Sequence, residues 1–137
     1  MVLRRVTTSD TDLILAFWKA SGAEVSATDT PEHVRRAIEH PSAAFIVAAQ
    51  DGQIVGSVIG AFDGWRGNIY RLVVHPDYRR RGIARTLVRE VERAFAEWGV
   101  SRVTALVVID RHPAREFWAA MGYLPDEHMR RHVRSLG

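Results

Sequence analysis

The chain has 137 residues, of which 47% are hydrophobic, a formal net charge of +3 and no cysteine. This length predicts one domain over residues 1–137, and the apolar content is enough for a buried core. The absence of cysteine excludes disulfides and thiolate chemistry and is typical of a reducing compartment, so we expect a cytoplasmic protein. Because no apolar run is long enough to span a bilayer, and the apolar start is too short for a signal peptide, we expect no membrane partner.

The first forty residues predict one strand and two helices. A short strand over Met1–Val6 is followed by helix-capping residues, and Gly22 ends the first helix. The second helix begins at Thr30 and Pro31 and ends before Pro41. The apolar residues at helical spacing in the first helix are Leu13, Ile14, Phe17 and Trp18.

Three strands follow, and short turns connect them. Ala43–Ala49 and Ile54–Phe62 flank Asp51-Gly52, a pair that favours a tight hairpin. A longer turn over Asp63–Gly67 leads into an apolar, β-branched strand that ends at Val74. These three strands are therefore predicted to be antiparallel.

A long amphipathic helix starts near Gly82 and ends at Gly99. Its predicted buried face contains Ala84, Leu87, Val88, Val91, Ala94, Phe95 and Trp98. Val100–Ile109 is predicted to be a strand parallel to its predecessor, since a helical crossover joins them. His112–Met121 is the last helix, and a weak strand starts at Tyr123. This order predicts an α/β (α+β) domain with helices on both faces of a mixed sheet.

An arginine-rich loop separates the strand ending at Val74 from the long helix. Unpaired N–H groups and the positive dipole end at a helix start suit a phosphate or pyrophosphate, and the small Gly82 and Ala84 permit close approach. Two other interpretations are a plain basic surface loop and a nucleic-acid patch at residues 79–81. The nucleic-acid interpretation ranks last because interleaved exposed aromatics and a known binding motif are missing, so no nucleic-acid partner is expected.

Two segments resemble the GNAT N-acetyltransferase superfamily. Arg79-Arg80-Arg81-Gly82-Ile83-Ala84 resembles the family's Arg/Gln-x-x-Gly-x-Gly/Ala acetyl-CoA motif, and Leu72-Val73-Val74-His75-Pro76 resembles the strand that leads into it. About thirty residues later, the segment from Ala114 to Tyr123 resembles the family's Ala-x-x-Leu-Tyr-x-x-x-Gly-Phe pattern. The resemblance implies a GNAT-like, mixed and mostly antiparallel sheet of six to seven strands with helices on both faces.

The resemblance also implies acetyl-CoA as co-substrate. Backbone groups of Leu72, Val73 and Val74 would pair with the pantetheine arm, and the Val74 N–H would polarise the thioester carbonyl. The pyrophosphate would lie against the loop and first helical turn. The cofactor-binding residues so implied there are Arg79, Arg80, Arg81, Gly82, Ile83, Ala84 and Arg85.

The catalytic positions depart from the family pattern. Trp118 stands where the family usually has its tyrosine proton donor, and indole cannot supply that proton. Arg111 replaces a frequent asparagine, and Leu106 replaces the glutamate base of some relatives. Either another group serves, or the thiolate leaves without a donor, or the domain is a catalytically weak or inactive CoA-binding module.

Tyr70 is the predicted substitute for the missing donor. By the period of two along a strand, Asn68, Tyr70 and Leu72 would share the face near the reacting centre. The alternative is a core tyrosine with a hydrogen-bonded hydroxyl. His75 and Tyr123 are predicted to be structural, and the histidines show no spacing typical of metal ligands, so no metal is expected.

The acceptor site is predicted in the loop between the first two helices, the 63–67 turn and the tail. Glu24 and Asp63 are the carboxylates placed to attract an amine, although both can be ordinary loop carboxylates. Trp65 and Arg66 would instead favour an anionic or planar molecule. The expected partner is a small-molecule amine or a peptide or protein amine, and homodimer formation stays open.

Overall fold

The computed structural model describes residues 1–23, 26–107 and 112–136. The strands are β1 (Val2–Arg5), β2 (Ala43–Gln50), β3 (Gln53–Phe62), β4 (Gly67–Val74) and β5 (Val103–Ala105). The α-helices are α1 (Thr11–Ala20), α2 (Pro31–Glu39), α3 (Ile83–Glu97) and α4 (His112–Ala120). Short 3-10 turns at 8–10 and 76–78 precede α1 and follow β4.

The described strands form one mixed sheet in the order β1-β2-β3-β4-β5. The first four strands pair antiparallel, and β5 is parallel to β4 because α3 carries the chain back across the sheet. The predicted mixed α/β architecture and the predicted parallel pairing are therefore confirmed.

The predicted number of six to seven strands is not what the described residues form, since they contain five. The fifth strand covers three residues of the predicted Val100–Ile109, and part of that range lies outside the described residues. The predicted strand after Tyr123 is absent from residues 123–136. Pro125 removes a ladder donor near its start, and charged residues dominate the rest of this segment.

Alternate side chains of β2 pack into two separate clusters, as the period of two requires. Ala44, Ile46 and Ala48 lie with the apolar face of α3, whereas Phe45 and Val47 lie with α1 and α2. The predicted face of α3 is confirmed except at Ala84, which lies outside this cluster, and its most buried members are Leu87, Val88, Val91 and Phe95.

Glycines on β3 and β4 let α3 approach the sheet closely. A Cβ at Gly60 would lie 2.4 Å from Val91 Cγ1, and one at Gly67 would lie 2.8 Å from Phe95 Cε2. Both distances are too short for a real side chain, so the missing Cβ atoms fix how deeply α3 sits. The helix axis, and with it the helix N-terminus beside the end of β4, is set by this contact.

We predict that Gly60→Ala destabilises the protein by about 1–3 kcal/mol, because the added methyl overpacks the contact with Val91. Urea unfolding monitored by tryptophan fluorescence measures the change. Val91→Ala removes the obstructing methyl groups, so the double variant should lose less stability than the sum of the two single variants. Additive losses would show that the two sites do not compete for the same space.

Candidate active site

An open cleft of about 240 Å³ lies where β4, α3 and α4 meet. Its first wall is Val74 at the end of β4, followed by the loop residues Tyr78, Arg79, Arg80 and Gly82. The first turn of α3 and the α4 residues Phe117, Ala120 and Met121 complete it. The cleft therefore brings together the loop and the downstream segment, which are the two segments that carry the sequence resemblance.

The strands β4 and β5 part before β4 ends. Their register pairs stop at Ile69 with Ala105, and the Leu106 N–H donates to the Ile69 carbonyl at 3.4 Å just beyond. Strand β4 continues to Val74, so its last residues lack a β5 partner among the residues that the structure describes. A gap between two parallel strands leaves backbone donors and acceptors available to a ligand.

The backbone of Val74 faces this gap. The His75 N–H donates to the Val55 carbonyl at 2.8 Å, and Val73 pairs with Ser57. Bonded pairs alternate in an antiparallel ladder, so Val74, between those two positions, directs its N–H and C=O away from β3. The N–H and C=O of Val74 therefore point towards the side on which β5 no longer pairs with β4.

The loop after β4 is held by ring contacts. His75 Nδ1 accepts the Asp77 N–H at 3.1 Å, and its ring meets Tyr78 edge-on with centroids 5.4 Å apart. The Arg81 guanidinium lies 4.9 Å from the Tyr78 ring centroid, a cation–π distance. His75 is thus structural, as predicted, and Arg81 shapes the loop as well as adding charge.

The loop ends in an open helix N-terminus. Arg80 and Gly82 both have left-handed backbone, with φ of +64° and +80°, and Gly82 is the N-cap of α3. Nothing lies within 4 Å of the place where a Gly82 Cβ would be. The first N–H groups of α3 have no intrahelical acceptors, and Arg79, Arg80, Arg81 and Arg85 are all exposed around them. This combination can hold an anion through backbone N–H groups and guanidinium charge.

Helix α4 contributes packing. Trp118 is 5% exposed and meets Phe117 and Tyr123 edge-on, with centroid distances of 5.3 and 4.9 Å. The Tyr123 hydroxyl donates to Glu92 Oε2 at 2.7 Å, and burial together with that carboxylate raises the pKa of Tyr123. Tyr123 is therefore structural, as predicted, and stays protonated at neutral pH. Leu106 is 38% exposed, and Arg111 lies outside the described residues.

Strand β4 contains a bulge, and the bulge places Tyr70 and Leu72 on opposite faces of the sheet. Tyr70 pairs with Ile59 and Val73 pairs with Ser57, so three steps along β4 match two along β3. Leu72 consequently packs in the cluster with α3, and the prediction that it shares a face with Tyr70 is wrong. The period of two fails here because Arg71 adds an extra residue to the strand.

Tyr70 is 38% exposed and does not line the cleft. The alternative interpretation, a core tyrosine, requires a buried ring and therefore does not describe Tyr70. Its hydroxyl makes no hydrogen bond within the part of the chain that the structure describes. The ring is thus on the surface, on the side of the sheet that carries α1 and α2.

Of the two predicted acceptor carboxylates, Asp63 does not line the cleft. Asp63 Oδ1 accepts the N–H groups of Arg66 and Trp65, both at 2.8 Å, and these bonds hold the pKa of Asp63 below its usual value. Asp63 therefore closes its own turn. Trp65 is 73% exposed, with the Arg66 guanidinium 4.0 Å from its ring centroid, and Glu24 lies outside the described residues.

Two charged residues near β4 were missed by the sequence prediction. Arg71, at the bulge, donates from Nη2 to both oxygens of Asp29, at 2.8 and 2.7 Å. The sequence does show an arginine inside an otherwise apolar strand, which could have indicated a special role for Arg71. Nothing in the sequence identifies Asp29, forty-two residues earlier, as its partner.

Two further features concern metals and membranes. Among the residues described, no three His, Asp or Glu side chains are grouped so that they could hold a metal ion. Within the same ranges, every helix is too short or too polar to cross a membrane.

The mixed sheet, the parted strand pair and the open helix N-terminus define a class of mixed α/β domain whose site can hold an extended anionic ligand, and comparisons with known proteins give the family. The model of the acetyltransferase (GNAT) family matches residues 11–123. An acetyltransferase from Pectobacterium atrosepticum is 34% identical over 107 residues, which are 78% of this chain and 76% of that protein. The chain belongs to the GNAT acetyltransferase family, which confirms the predicted resemblance and the predicted enzyme class.

Solved structures share the fold. An aminoglycoside 6'-N-acetyltransferase from Acinetobacter haemolyticus superposes with a TM-score of 0.81 at 14% identity and full coverage of both chains. A second 6'-N-acetyltransferase, AAC(6')-Iy in complex with the bisubstrate analogue CoA-S-monomethyl-acetylneamine, gives 0.78 at 14% identity with 98% of each chain covered. At such identities the likeness establishes the fold alone.

We predict that Gly82→Glu lowers acetyl-CoA affinity at least tenfold, because a carboxylate would fill the open space at the helix N-terminus and repel phosphate. Calorimetric titration with acetyl-CoA measures the affinity. Gly82→Ala is the matched control, since it carries the same backbone strain at φ +80° without the charge, and it should bind more tightly than Gly82→Glu. Equal, wild-type affinity in both variants would exclude this loop as the phosphate site.

Proposed function

We propose that the protein is an acetyl-CoA-dependent N-acetyltransferase, a single domain over residues 1–137 that moves an acetyl group to a primary amine. The observation that carries the proposal is the gap between β4 and β5 beside the open N-terminus of α3. An extended pantetheine arm needs the first feature, and a pyrophosphate needs the second. Family membership makes acetyl-CoA the reasonable thioester.

In this proposal the cofactor follows β4 into the loop. The backbone groups of Leu72 and Val74 that face the gap pair with the pantetheine amides in the manner of an added strand, whereas the N–H and C=O of Val73 are directed towards Ser57 of β3. The pyrophosphate is held by N–H groups of the loop and first turn of α3. Charge comes from Arg79, Arg80, Arg81 and Arg85. Gly82, Ile83 and Ala84 contribute backbone groups and space.

The reaction is direct attack of a neutral amine on the thioester carbonyl. The C–N bond forms as the carbonyl becomes a tetrahedral oxyanion, and collapse of that centre breaks the C–S bond and releases CoA thiolate. The Val74 N–H, turned towards the gap, is the proposed donor to the oxyanion. The amine loses a proton to a base or to water, and the thiolate gains one from an acid or from water.

The proposed acid is Tyr70. Trp118 is buried in the core and Tyr123 is bonded to Glu92, so neither supplies a proton to the cleft. Tyr70 lies on β4, two residues before the proposed pantetheine contacts, with its exposed ring on the side of the sheet that carries α1 and α2, so it would have to reach the departing thiolate from that side.

We predict that Tyr70→Phe lowers kcat roughly a hundredfold while acetyl-CoA affinity stays within threefold, because a positioned proton donor acts on the chemical step. Steady-state assays of CoA release give kcat, and calorimetry gives the affinity for acetyl-CoA. The hydroxyl is exposed and unbonded among the described residues, so the melting temperature should not change. Normal turnover in this variant would mean that the thiolate leaves unassisted or takes its proton from water.

The acceptor is proposed to be a small-molecule amine or the amine of a peptide or protein. The solved structures that share the fold include aminoglycoside 6'-N-acetyltransferases, so an aminoglycoside forms one arm of the substrate panel. Free amino acids and short peptides with an unblocked N-terminus form the other arms.

A panel of these amines with acetyl-CoA tests the proposal as a whole. We expect acetyl-CoA binding by calorimetry and CoA release with at least one amine class, and Gly82→Glu should weaken the binding at least tenfold and slow the release at subsaturating acetyl-CoA. Binding without turnover across the panel would favour the second candidate, a CoA-binding module without catalysis, for which Trp118 and Leu106 at the family's catalytic positions argue. Failure to bind acetyl-CoA would overturn both.

A further inference from the structure

The backbone of Arg71 is in an unusual conformation for its side chain. It has φ of +51°, in the left-handed region that arginine rarely adopts, and it forms the bulge of β4. Its side chain is only 18% exposed, although guanidinium groups usually extend into water. Such a conformation persists where the surrounding contacts hold it in place.

The contacts at Arg71 hold both its backbone and its side chain. The Ser57 hydroxyl donates to the Arg71 carbonyl at 3.0 Å and accepts the Trp18 Nε1–H at 2.9 Å. Ser57 and Trp18 are both buried. The guanidinium lies 5.1 Å from the Trp18 ring centroid. One indole from α1 therefore supports the bulge through Ser57 and stacks against the charged end of the same arginine.

Asp29 fixes the other end of the guanidinium. Its carboxylate, 20% exposed, takes both bonds from Arg71 Nη2 and also accepts the Ser26 N–H at 3.1 Å. The Asp29 N–H donates to the Ser26 carbonyl at 3.1 Å, and Thr30, the next residue, caps α2. The ion pair thus ties residues 26–30, in the connection between α1 and α2, to the bulge. Because water is largely excluded, the Coulomb attraction between the two charges is less screened than in an exposed pair.

We propose that Arg71 is a positioning residue for the transfer reaction, an inference that rests on the proposed function. Through Asp29 it holds residues 26–30, which lie in the predicted acceptor region, at a fixed place beside β4. Through its own backbone it maintains the bulge from which residues 72–74 run into the gap. One residue thereby sets the acceptor segment, through its side chain, and the cofactor strand, through its backbone, relative to each other, without touching the reacting atoms itself.

Three substitutions separate the guanidinium from the backbone. Arg71→Met keeps much of the side-chain volume and removes the charge, whereas Arg71→Gly accepts φ of +51° without strain. We expect both to lower kcat/KM for the acceptor at least about tenfold, since small misplacements are costly, with acetyl-CoA affinity within about threefold. Arg71→Lys, which keeps the charge but not the planar fork, should recover part of the loss. Wild-type kinetics in Arg71→Gly would overturn the proposal.

A second measurement needs no turnover. We expect hydrogen exchange at the amides of residues 26–30 to accelerate at least about tenfold in Arg71→Met and in Asp29→Asn, because both break the ion pair. The control is Arg36→Met, which breaks an exposed ion pair with Glu32 on α2 and should leave this exchange unchanged. Unchanged exchange in the first two variants would overturn the proposal.

The two measurements distinguish this inference from the proposed function. If the wild-type protein acetylates no amine, the proposed function fails, and the exchange of residues 26–30 still decides whether Arg71 positions them. If Arg71→Met does not fold, Asp29→Asn tests the same contact from the loop side. In folded variants, the double variant Arg71→Met with Asp29→Asn should lose no more activity than Arg71→Met alone, and additive losses would contradict a shared contact.

Discussion

The bulge at Arg71 is the constraint on which the arrangement of the site depends. By adding one residue to β4 it reverses which side chains face which cluster, so Leu72 packs towards α3 and Val73 towards α1 and α2. Beyond the bulge, β4 has separated from β5 and the backbone of Val74 faces the gap. Without the extra residue the alternation would continue, and the last residues of β4 would present different groups to a ligand.

The second requirement is the depth at which α3 lies against the sheet. Gly60 and Gly67 leave room for Val91 and Phe95, so the helix axis lies close to β3 and β4. Its N-terminus consequently opens beside the end of β4 and the wall formed by α4. The backbone gap and the open N–H groups are side by side, which is the geometry that an extended thioester ending in a pyrophosphate would need. The packing of α3 against the sheet thus determines where the proposed cofactor site lies.

The aromatic residues of the cleft and of β4 divide into those that maintain the structure and those whose polar groups are available. Trp118 and Tyr123 belong to the packing between α3 and α4, and the Tyr123 hydroxyl is committed to Glu92. Tyr78 supports the loop between His75 and Arg81. Tyr70 differs because its ring is on the surface with an uncommitted hydroxyl among the described residues. Burial and hydrogen bonding, more than residue type, separate candidates for chemistry from residues that maintain the shape.

The sequence by itself determined the features that local periodicity and short motifs encode. These are the helices, the antiparallel run of strands, the parallel return through α3, and the loop with the first helical turn at 79–85, since each depends on residues near one another in the chain. Tertiary structure decided the rest. The alternation of apolar and polar residues along β4 gives no sign of the bulge at Arg71. Asp29 pairs with the Arg71 side chain only because α1, α2 and the sheet fold together. Whether a tyrosine is buried or exposed likewise depends on elements distant in sequence, which is why the environments of Tyr70 and Tyr123 became known only from the packed structure.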